Sequence, residues 1–412
     1  MPLAAALSAA MLAGCSGNPP PSTDISDPNY VQGVTDSEIL IANSAATSGT
    51  YAPVGGPFIA GLQGYLNMVN AQGGIAGRKI TLLHTDDEFD PAKGSAALTK
   101  FVEDDKVFAI VGDFGAPVVA ANVGQLKDYG IPAVHFVTGI GQLYAANAKT
   151  NADGYNLFPV QPIYLSEGGI MVAYATGKFQ AKKLGIIYTN DDAGMDFEKG
   201  AVAQIKSMQG IDYVEQQVPA GAADVSAAVT AIKQANVDFV IVGSIQGTMP
   251  TIVKELAAQS VNKDCITSYV NESFALSQAV VNDIQGKFDV YGLGWVDFTS
   301  PDAQAALAQY QANVDPQYAT NLYGQTGWVA AYFFCEGLRR VENGQLTWAS
   351  FMKAMEQAPI NNPFGGAIDY SNGQRLGSQV MNLSKVVPES VDYPAGWQQV
   401  EPLQTMSTLL GQ

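Results

Sequence analysis

Apolar positions along this chain follow two spacings that replace one another in a regular order. Glu38-Ile39-Leu40-Ile41-Ala42 is a compact apolar run and predicts a strand. Phe58, Leu62, Tyr65, Leu66 and Val69 then recur at helical spacing, and Gly73-Gly74 supplies a stop where positive φ is cheap. Lys79 to His84 predicts a second strand. Asp90-Pro91 predicts an N-cap and first-turn proline for a helix carrying Ala97, Leu98, Phe101 and Val102. Val107 to Gly112 is continuously apolar, as buried parallel strands are. Helix 117–128 and strand 131–136 complete a first block.

A second block repeats the scheme. Strand Leu184–Tyr188 precedes a helix near 195–209, strand Val237–Gly243 precedes a helix near 249–259, and a further strand lies near 265–270. Alternating strands and helices with short connections give parallel sheets covered on both faces, so the fold class is α/β with two doubly wound lobes. Residues 290–412 hold helices at 301–313, 323–341 and 347–356 and a turn-rich tail, expected to be shared between the lobes. The 412 residues exceed what one core usually serves, which agrees with two lobes.

The N-terminus follows neither spacing. Leu3 to Met11 is apolar and ends in Leu12-Ala13-Gly14-Cys15, and the polar stretch from Ser16 to Asp24 cannot pack. An apolar segment of this length ending in small residues predicts a secretory signal, too short to span a bilayer. The Leu-Ala-Gly-Cys ending resembles the bacterial lipobox, which makes Cys15 the expected lipidation site, 1–14 the signal peptide and 15–35 a tether. Extended, such a tether reaches roughly 50 Å at about 3 Å per residue. An ordinary signal peptide with an incidental cysteine is the alternative. No Lys or Arg precedes the apolar run, which fits a start set slightly downstream of the natural one.

Composition narrows the function classes. Hydrophobic residues make up 47% of the chain, which excludes disorder beyond the N-terminal segment. The net charge of −17, from 38 acidic against 21 basic residues, argues against nucleic acid and against adhesion to anionic lipid. Membrane attachment is therefore expected from acyl chains alone. Cys265 and Cys335 form either a disulfide or two buried free thiols, the latter preferred; neither has metal-ligand spacing around it.

Ligands of open α/β sheets bind beyond the carboxyl ends of strands. The first such end is Asp113-Phe114-Gly115-Ala116-Pro117, either a helix start facing a cleft or an ordinary strand–helix turn. The next, Phe136-Val137-Thr138-Gly139-Ile140-Gly141, lacks the third glycine and acidic partner of a dinucleotide fingerprint. Asp86-Asp87-Glu88 with Asp90 lacks the spacing of a calcium loop and reads better as a solvated turn plus helix cap. Asn190-Asp191-Asp192-Ala193-Gly194 is a ligand-facing turn or an Asx-rich loop. Gly243-Ser244-Ile245-Gln246-Gly247 is not Gly-x-Ser-x-Gly. With only His84 and His135 in the chain and no Walker A pattern, hydrolase and ATPase readings have little support. No catalytic residue, metal site or cofactor is expected.

Asn70-Ala71-Gln72-Gly73-Gly74-Ile75-Ala76-Gly77-Arg78-Lys79-Ile80, followed by Asp86-Asp87, Asp90-Pro91 and Val107–Gly112, resembles the first lobe of Leu/Ile/Val-type solute-binding proteins, the type I periplasmic binding proteins of ABC importers. Gly33–Ile39 and Thr47-Ser48-Gly49 fit as well, and Lys182–Tyr188 and Asp238–Gly243 match strands of the second lobe. The likeness covers roughly 33–385. It implies two lobes, 36–157 plus 296–360 and 158–295 plus 361–400, with 401–412 a C-terminal tail. Three crossovers are expected near 157–163, 288–297 and 359–368, with closure on a ligand between the lobes.

The resemblance also implies an extracytoplasmic, lipid-anchored, non-enzymatic monomer that passes a small organic solute (amino acid-like, amide or organic acid) to an ABC permease. A sensory module of the same fold, or less plausibly an envelope amidase, is the alternative. In the family's amino-acid binders a Ser and a Thr hold the ligand carboxylate and an acidic side chain takes the ammonium. Those positions fall here on Ala116, on Gly139 or Thr138, and on Tyr269, with Asn271 and Glu272 close behind; Glu272 remains able to take an ammonium. The family's cleft aromatics fall on Ala193 and on Ile245 or Gln246. The expected contact residues are Phe114, Gly115, Ala116, Thr138, Gly139, Asp192, Gln246, Tyr269 and Asn271. Without the usual handles at Ala116 and Tyr269, the ligand is expected not to be a plain branched-chain amino acid.

Overall fold

The computed structural model describes residues 29–341 and 345–411. Cys15, the signal segment and most of the tether lie outside the described residues. The first lobe is built from β1 (Glu38–Ala45), α1 (Ala52–Ala71), β2 (Lys79–Asp86), α2 (Pro91–Thr99), β3 (Ala109–Phe114), α3 (Ala116–Tyr129), β4 (Ala133–Val137) and β5 (Leu157–Phe158). Its five strands pair in parallel in the order β2-β1-β3-β4-β5. β3 and β4 are buried along their whole length, which is why their sequences carry no alternation. Asp90 caps α2 as its position predicts, its carboxylate accepting from Ala92 N at 2.8 Å.

The second lobe opens with α4 (Tyr164–Gly177) and continues through β6 (Lys183–Thr189), α5 (Asp192–Ser207), β7 (Asp212–Val218), α6 (Ser226–Ala235), β8 (Phe239–Gly243), α7 (Thr248–Ala258), β9 (Cys265–Thr267), α8 (Phe274–Ile284) and β10 (Val290–Gly294). Three helices then return to the first lobe: α9 (Pro301–Asn313), α10 (Leu322–Arg339) and α11 (Trp348–Met355). Of these, α10 packs on α1 and against β3 and β4. The small hairpin β11 (Ile360–Asn361) and β12 (Ala367–Ile368) follows.

The C-terminal part corrects the sequence reading. In place of a turn-rich tail, β13 (Val380–Val386) pairs antiparallel with β10 and β14 (Trp397–Thr405) antiparallel with β13, extending the second sheet in the order β14-β13-β10-β9-β8-β6-β7. The boundary expected at 400/401 falls inside β14, and α12 (Met406–Leu410) packs on α4. β14 is an edge strand with Gln, Glu and Pro402 along it, a composition that edges tolerate and that hides a strand from pattern reading. Cys265 and Cys335 are buried free thiols, one in each lobe.

The chain passes between the lobes at 159–163, 295–300 and 369–379. The third passage lies beyond the expected 359–368, because the β11–β12 hairpin occupies that stretch. The passages are tied to one another and to that hairpin: Ser378 N donates to Val160 O at 2.9 Å, Tyr370 OH to Pro159 O at 2.8 Å, and Asp297 N to Phe364 O at 2.7 Å.

Within each lobe the main helix pair meets backbone to backbone. A methyl at Gly327 of α10 would lie 1.9 Å from the Phe58 carbonyl of α1, and one at Gly200 of α5 1.9 Å from the Leu165 carbonyl of α4. Gly327→Ala is therefore expected to destabilise the fold by about 1–3 kcal/mol through overpacking. Gly124→Ala, on the exposed face of α3 with nothing within 4 Å, is expected to stabilise it by about 0.5–1 kcal/mol. Urea denaturation of the two variants reads both signs.

Candidate functional site

The carboxyl ends of β3 and β4 face those of β8 and β9 across a narrow cleft. On the first lobe the chain leaves β3 at Phe114 and turns through Gly115 at φ 88° before α3 begins. Only glycine fits: a Cβ there would lie 2.3 Å from the Phe89 ring. Phe89 is held at φ 65°, its N–H bound to Asp87 Oδ1 at 2.8 Å, and Asp87 in turn accepts from Ser44 Oγ at 2.6 Å. Tyr51 stacks on Phe89 with centroids 3.7 Å apart, and Phe114 meets Phe89 edge-on. These three rings, with Ala116 and Val137, form an aromatic shelf.

The second lobe presents Ile245 and Gln246 after β8, Val270 after β9 and Tyr164 at the start of α4. Tyr323, at the start of α10, reaches across: its hydroxyl donates to Val270 O at 3.1 Å and accepts from Gln246 Nε2 at 3.3 Å. A second bridge runs from Gly141 N to Asp196 Oδ2 at 2.7 Å. The lobes are closed, and the enclosed space is about 30 Å³, room for one water.

Of the nine expected contact residues, the structure brings Phe114, Gly115, Ala116 and Gln246 together at this cleft. Four others lie behind it. Asn271 is fully buried and clamps the β8 and β9 turns, donating to Ser244 O and Thr267 Oγ1 at 2.8 Å each and accepting from Gln246 N at 2.9 Å. Tyr269 donates from its backbone to Glu167 Oε1 at 2.7 Å, while its hydroxyl lies 3.2 Å from both Gln161 Oε1 and Pro162 O at the first crossover. Thr138 is buried beside Tyr164, and Gly139 leaves room for Pro162 O, 2.3 Å from where its Cβ would be. Asp192 is exposed at the start of α5 and does not line the cleft; the helix is capped by Asp191, which accepts from Gly194 N.

Sequence reasoning passed over Tyr51, Phe89, Tyr164, Val270 and Tyr323. Phe89 stood out in principle as the one apolar residue in the run Asp86 to Asp90, and Tyr323 as an aromatic two residues past the N-cap Asn321. The acidic run is a turn and a cap in part only, because Asp87 is completely buried. Among the described residues no group of three or more His, Cys, Asp or Glu could hold a metal ion, and neither histidine lines the cleft.

Among the described residues no charged side chain lines the cleft. Carboxyls do lie behind it, and burial makes them reluctant to ionise. Burial raises the pKa of Asp87, pushes Glu167 well up against hydrogen bonds from Tyr269 and Ser268, and raises Asp113 to about 7 against one from Asn122 at 3.1 Å. For Asp113 the folded state keeps its proton while the unfolded chain, near 3.8, has lost it. Its contribution therefore lowers stability as pH rises from about 4 to 7, with no further loss above that. Asp113→Asn is expected to flatten this slope and to gain most at pH 8, as read by urea melts between pH 4.5 and 8.

Residues 38–390 match the family described as periplasmic binding protein. A curated relative, Leu/Ile/Val-binding protein homolog 2 of Brucella abortus, is 23% identical over 265 residues, covering 63% of this chain and 68% of that one. Among solved structures, the fatty acid ABC transporter substrate-binding protein from Thermomonospora curvata superposes with a TM-score of 0.78 at 18% identity, covering 93% of this chain and 97% of that one. A branched chain amino acid ABC transporter protein from Thermus thermophilus with bound valine gives 0.78 at 14% identity, covering 92% and 98%. The two-lobed architecture is thus that of known solute-binding proteins, and the chain belongs to the periplasmic binding protein family.

Proposed function

We propose that this chain is the extracytoplasmic solute-binding component of an ABC importer, and that it closes its two lobes on a small neutral solute with an apolar body. One observation carries the reading of the solute: both faces of the cleft present aromatic and aliphatic groups, with no charged side chain. The Thermus thermophilus neighbour of the same fold was solved with bound valine. Here a zwitterion would bury an ammonium and a carboxylate with no ionic partner, at a cost of several kcal/mol. Free carboxylates meet the same objection. The polar groups that remain, the Gln246 amide and the Tyr323 hydroxyl, suit an amide.

The solute enters by hinge opening, since the closed space is too small for it. Closing on it would bring Tyr51, Phe89 and Phe114 on one side toward Ile245 and Val270 on the other, with the lobes standing further apart than they do here. No bond is made or broken, and the closed form is what a permease would recognise. Lipid on Cys15 would keep the molecule beside that permease, with the tether letting it turn.

A thermal-shift panel tests the cleft. Benzamide or hexanamide is expected to stabilise the protein by about 2.7 kcal/mol at 100-fold excess over its Kd. Phe89→Ala is expected to weaken that binding about tenfold, or about 1.4 kcal/mol. Tight binding of leucine or valine by calorimetry would sink this solute assignment. For the anchor, Cys15→Ser expressed in a bacterial host is expected to move the protein from the membrane fraction to the soluble one. An unchanged distribution would remove the lipid from the account.

A further inference from the structure

Past Tyr323 the space between the lobes widens again. A cavity of about 410 Å³ lies between α9 and the start of α10 on one side and the β10–β13–β14 edge of the second sheet on the other. That volume is within the range of small-molecule sites, about 300–1,000 Å³. Its walls continue those of the aromatic cleft on both lobes. Tyr323 and Val270 line the cleft, while Leu322 and Gln325, on either side of Tyr323, and Glu272, two residues past Val270, line the cavity.

The cavity suits an apolar occupant. Phe298, Leu307, Leu322 and Trp397 give it apolar walls, and the Trp397 ring is fixed by donation from Nε1 to Ser273 O at 3.1 Å. Polar side chains among them are already spent on neighbouring groups. Asn382 Nδ2 donates to Val296 O at 2.7 Å, Thr299 Oγ1 to Asp297 Oδ1 at 2.6 Å, and Gln304 Nε2 to Phe298 O. Of the two carboxyls, Glu272 has its Oε1 buried out of reach, and Asp392 is exposed on the β13–β14 loop.

What parts the cleft from the cavity is the Tyr323 bridge. The hydroxyl donates to Val270 O at 3.1 Å and accepts from Gln246 Nε2 at 3.3 Å, so it ties one lobe to the other. The closed space beside it is only about 30 Å³, so a solute in the cleft holds the lobes further apart than they stand here. That separation takes the Tyr323–Val270 contact out of hydrogen-bonding reach and makes the two spaces one. It also leaves a donor on the first lobe facing an acceptor on the second. A buried carbonyl left without its donor is costly.

We propose that the solute is a secondary amide with an apolar group on each side, inserted between Tyr323 and Val270, with one arm on the aromatic shelf and the other in the cavity. The proposal rests on the reading of the aromatic cleft as the solute site. A secondary amide carries one acceptor and one donor. Its carbonyl accepts from the Tyr323 hydroxyl and its N–H donates to Val270 O, so two hydrogen bonds replace the one that opening breaks. An ester of the same shape keeps the acceptor and lacks the donor. A primary amide has no second arm to fill the cavity.

Calorimetric titration of the full chain with benzamide, N-butylbenzamide and butyl benzoate tests this. N-butylbenzamide is expected to bind at least about tenfold more tightly than benzamide, because the butyl group is buried. Butyl benzoate is expected to bind at least about tenfold more weakly than N-butylbenzamide, because Val270 O is left unpaired. Leu307→Trp, which fills the cavity, is expected to erase most of the gain from the butyl group. Should that variant fail to fold, the two ratios on the wild-type protein still decide. Benzamide binding with no gain from the butyl group would overturn the proposal and leave the cleft reading standing. An ester as tight as the amide, or a butyl gain unmoved by folded Leu307→Trp, would also overturn it. Binding of none of the three would remove the cleft reading and this proposal with it.

Discussion

The guanidinium of Arg375 is the constraint on which the hinge depends. It has no exposed surface, yet all five of its N–H donors are used. They reach Tyr155 O twice (2.6 and 3.1 Å), Tyr370 O, Gln374 O and Glu356 Oε1 at 2.9 Å. Its plane lies over the Phe158 and Tyr155 rings, 4.4 and 4.9 Å from their centroids. One cation thus binds the approach to the first crossover, the body of the third, and the end of α11. A buried cation is costly unless fully paired, and this one is paired by carbonyls whose positions depend on the crossovers being in register. The register of the hinge and the burial of the charge therefore enforce each other.

That local rigidity is matched inside the lobes, where paired glycines bring helix backbones together. α1 with α10 and α4 with α5 leave no gap that could be taken up by sliding. Packed cores of this kind respond as units. Between the lobes the ties are fewer: the Tyr323 hydroxyl on Val270 and Gln246, and Asp196 on Gly141 N. Such hydrogen bonds contribute about 0.5–1.5 kcal/mol each between neutral groups and about 1.5–3 kcal/mol to a charged one, against the far larger cost of opening a core. Motion is thereby directed into the cleft, which is the division of stiffness that a closing binder requires.

The α/β plan was legible because β1, β3, β6 and β8 are buried on both faces and write themselves as apolar runs, while Asp90-Pro91 and Gly73-Gly74 mark helix ends locally. β7 and β14 were not legible, being edge strands with Glu and Gln at adjacent positions that break the apolar alternation. The cleft was only partly so. Phe114, Gly115 and Ala116 follow from the rule that ligands sit beyond strand ends, since that rule depends on topology. Asn271 was misplaced for an instructive reason: it follows a strand end, but its amide is consumed in holding the neighbouring turn. Tyr323 lies 53 residues after the Val270 it meets and Trp397 lies 124 after Ser273, and no local pattern carries that distance.

In the proposed function, the acids behind the cleft act on selectivity without touching a solute. Asp87, Asp113 and Glu167 are buried on both sides of the shelf, each resisting ionisation, within a chain whose net charge is −17. Bringing an anion into the closed space would raise the cost of every residual negative charge near it, because the interior screens poorly. A cation would find no acceptor on the shelf itself, since these carboxyls are already turned toward Ser44, Asn122 and Ser268. If the proposed function holds, an anion is thus disfavoured in the aromatic cleft by the groups set behind it.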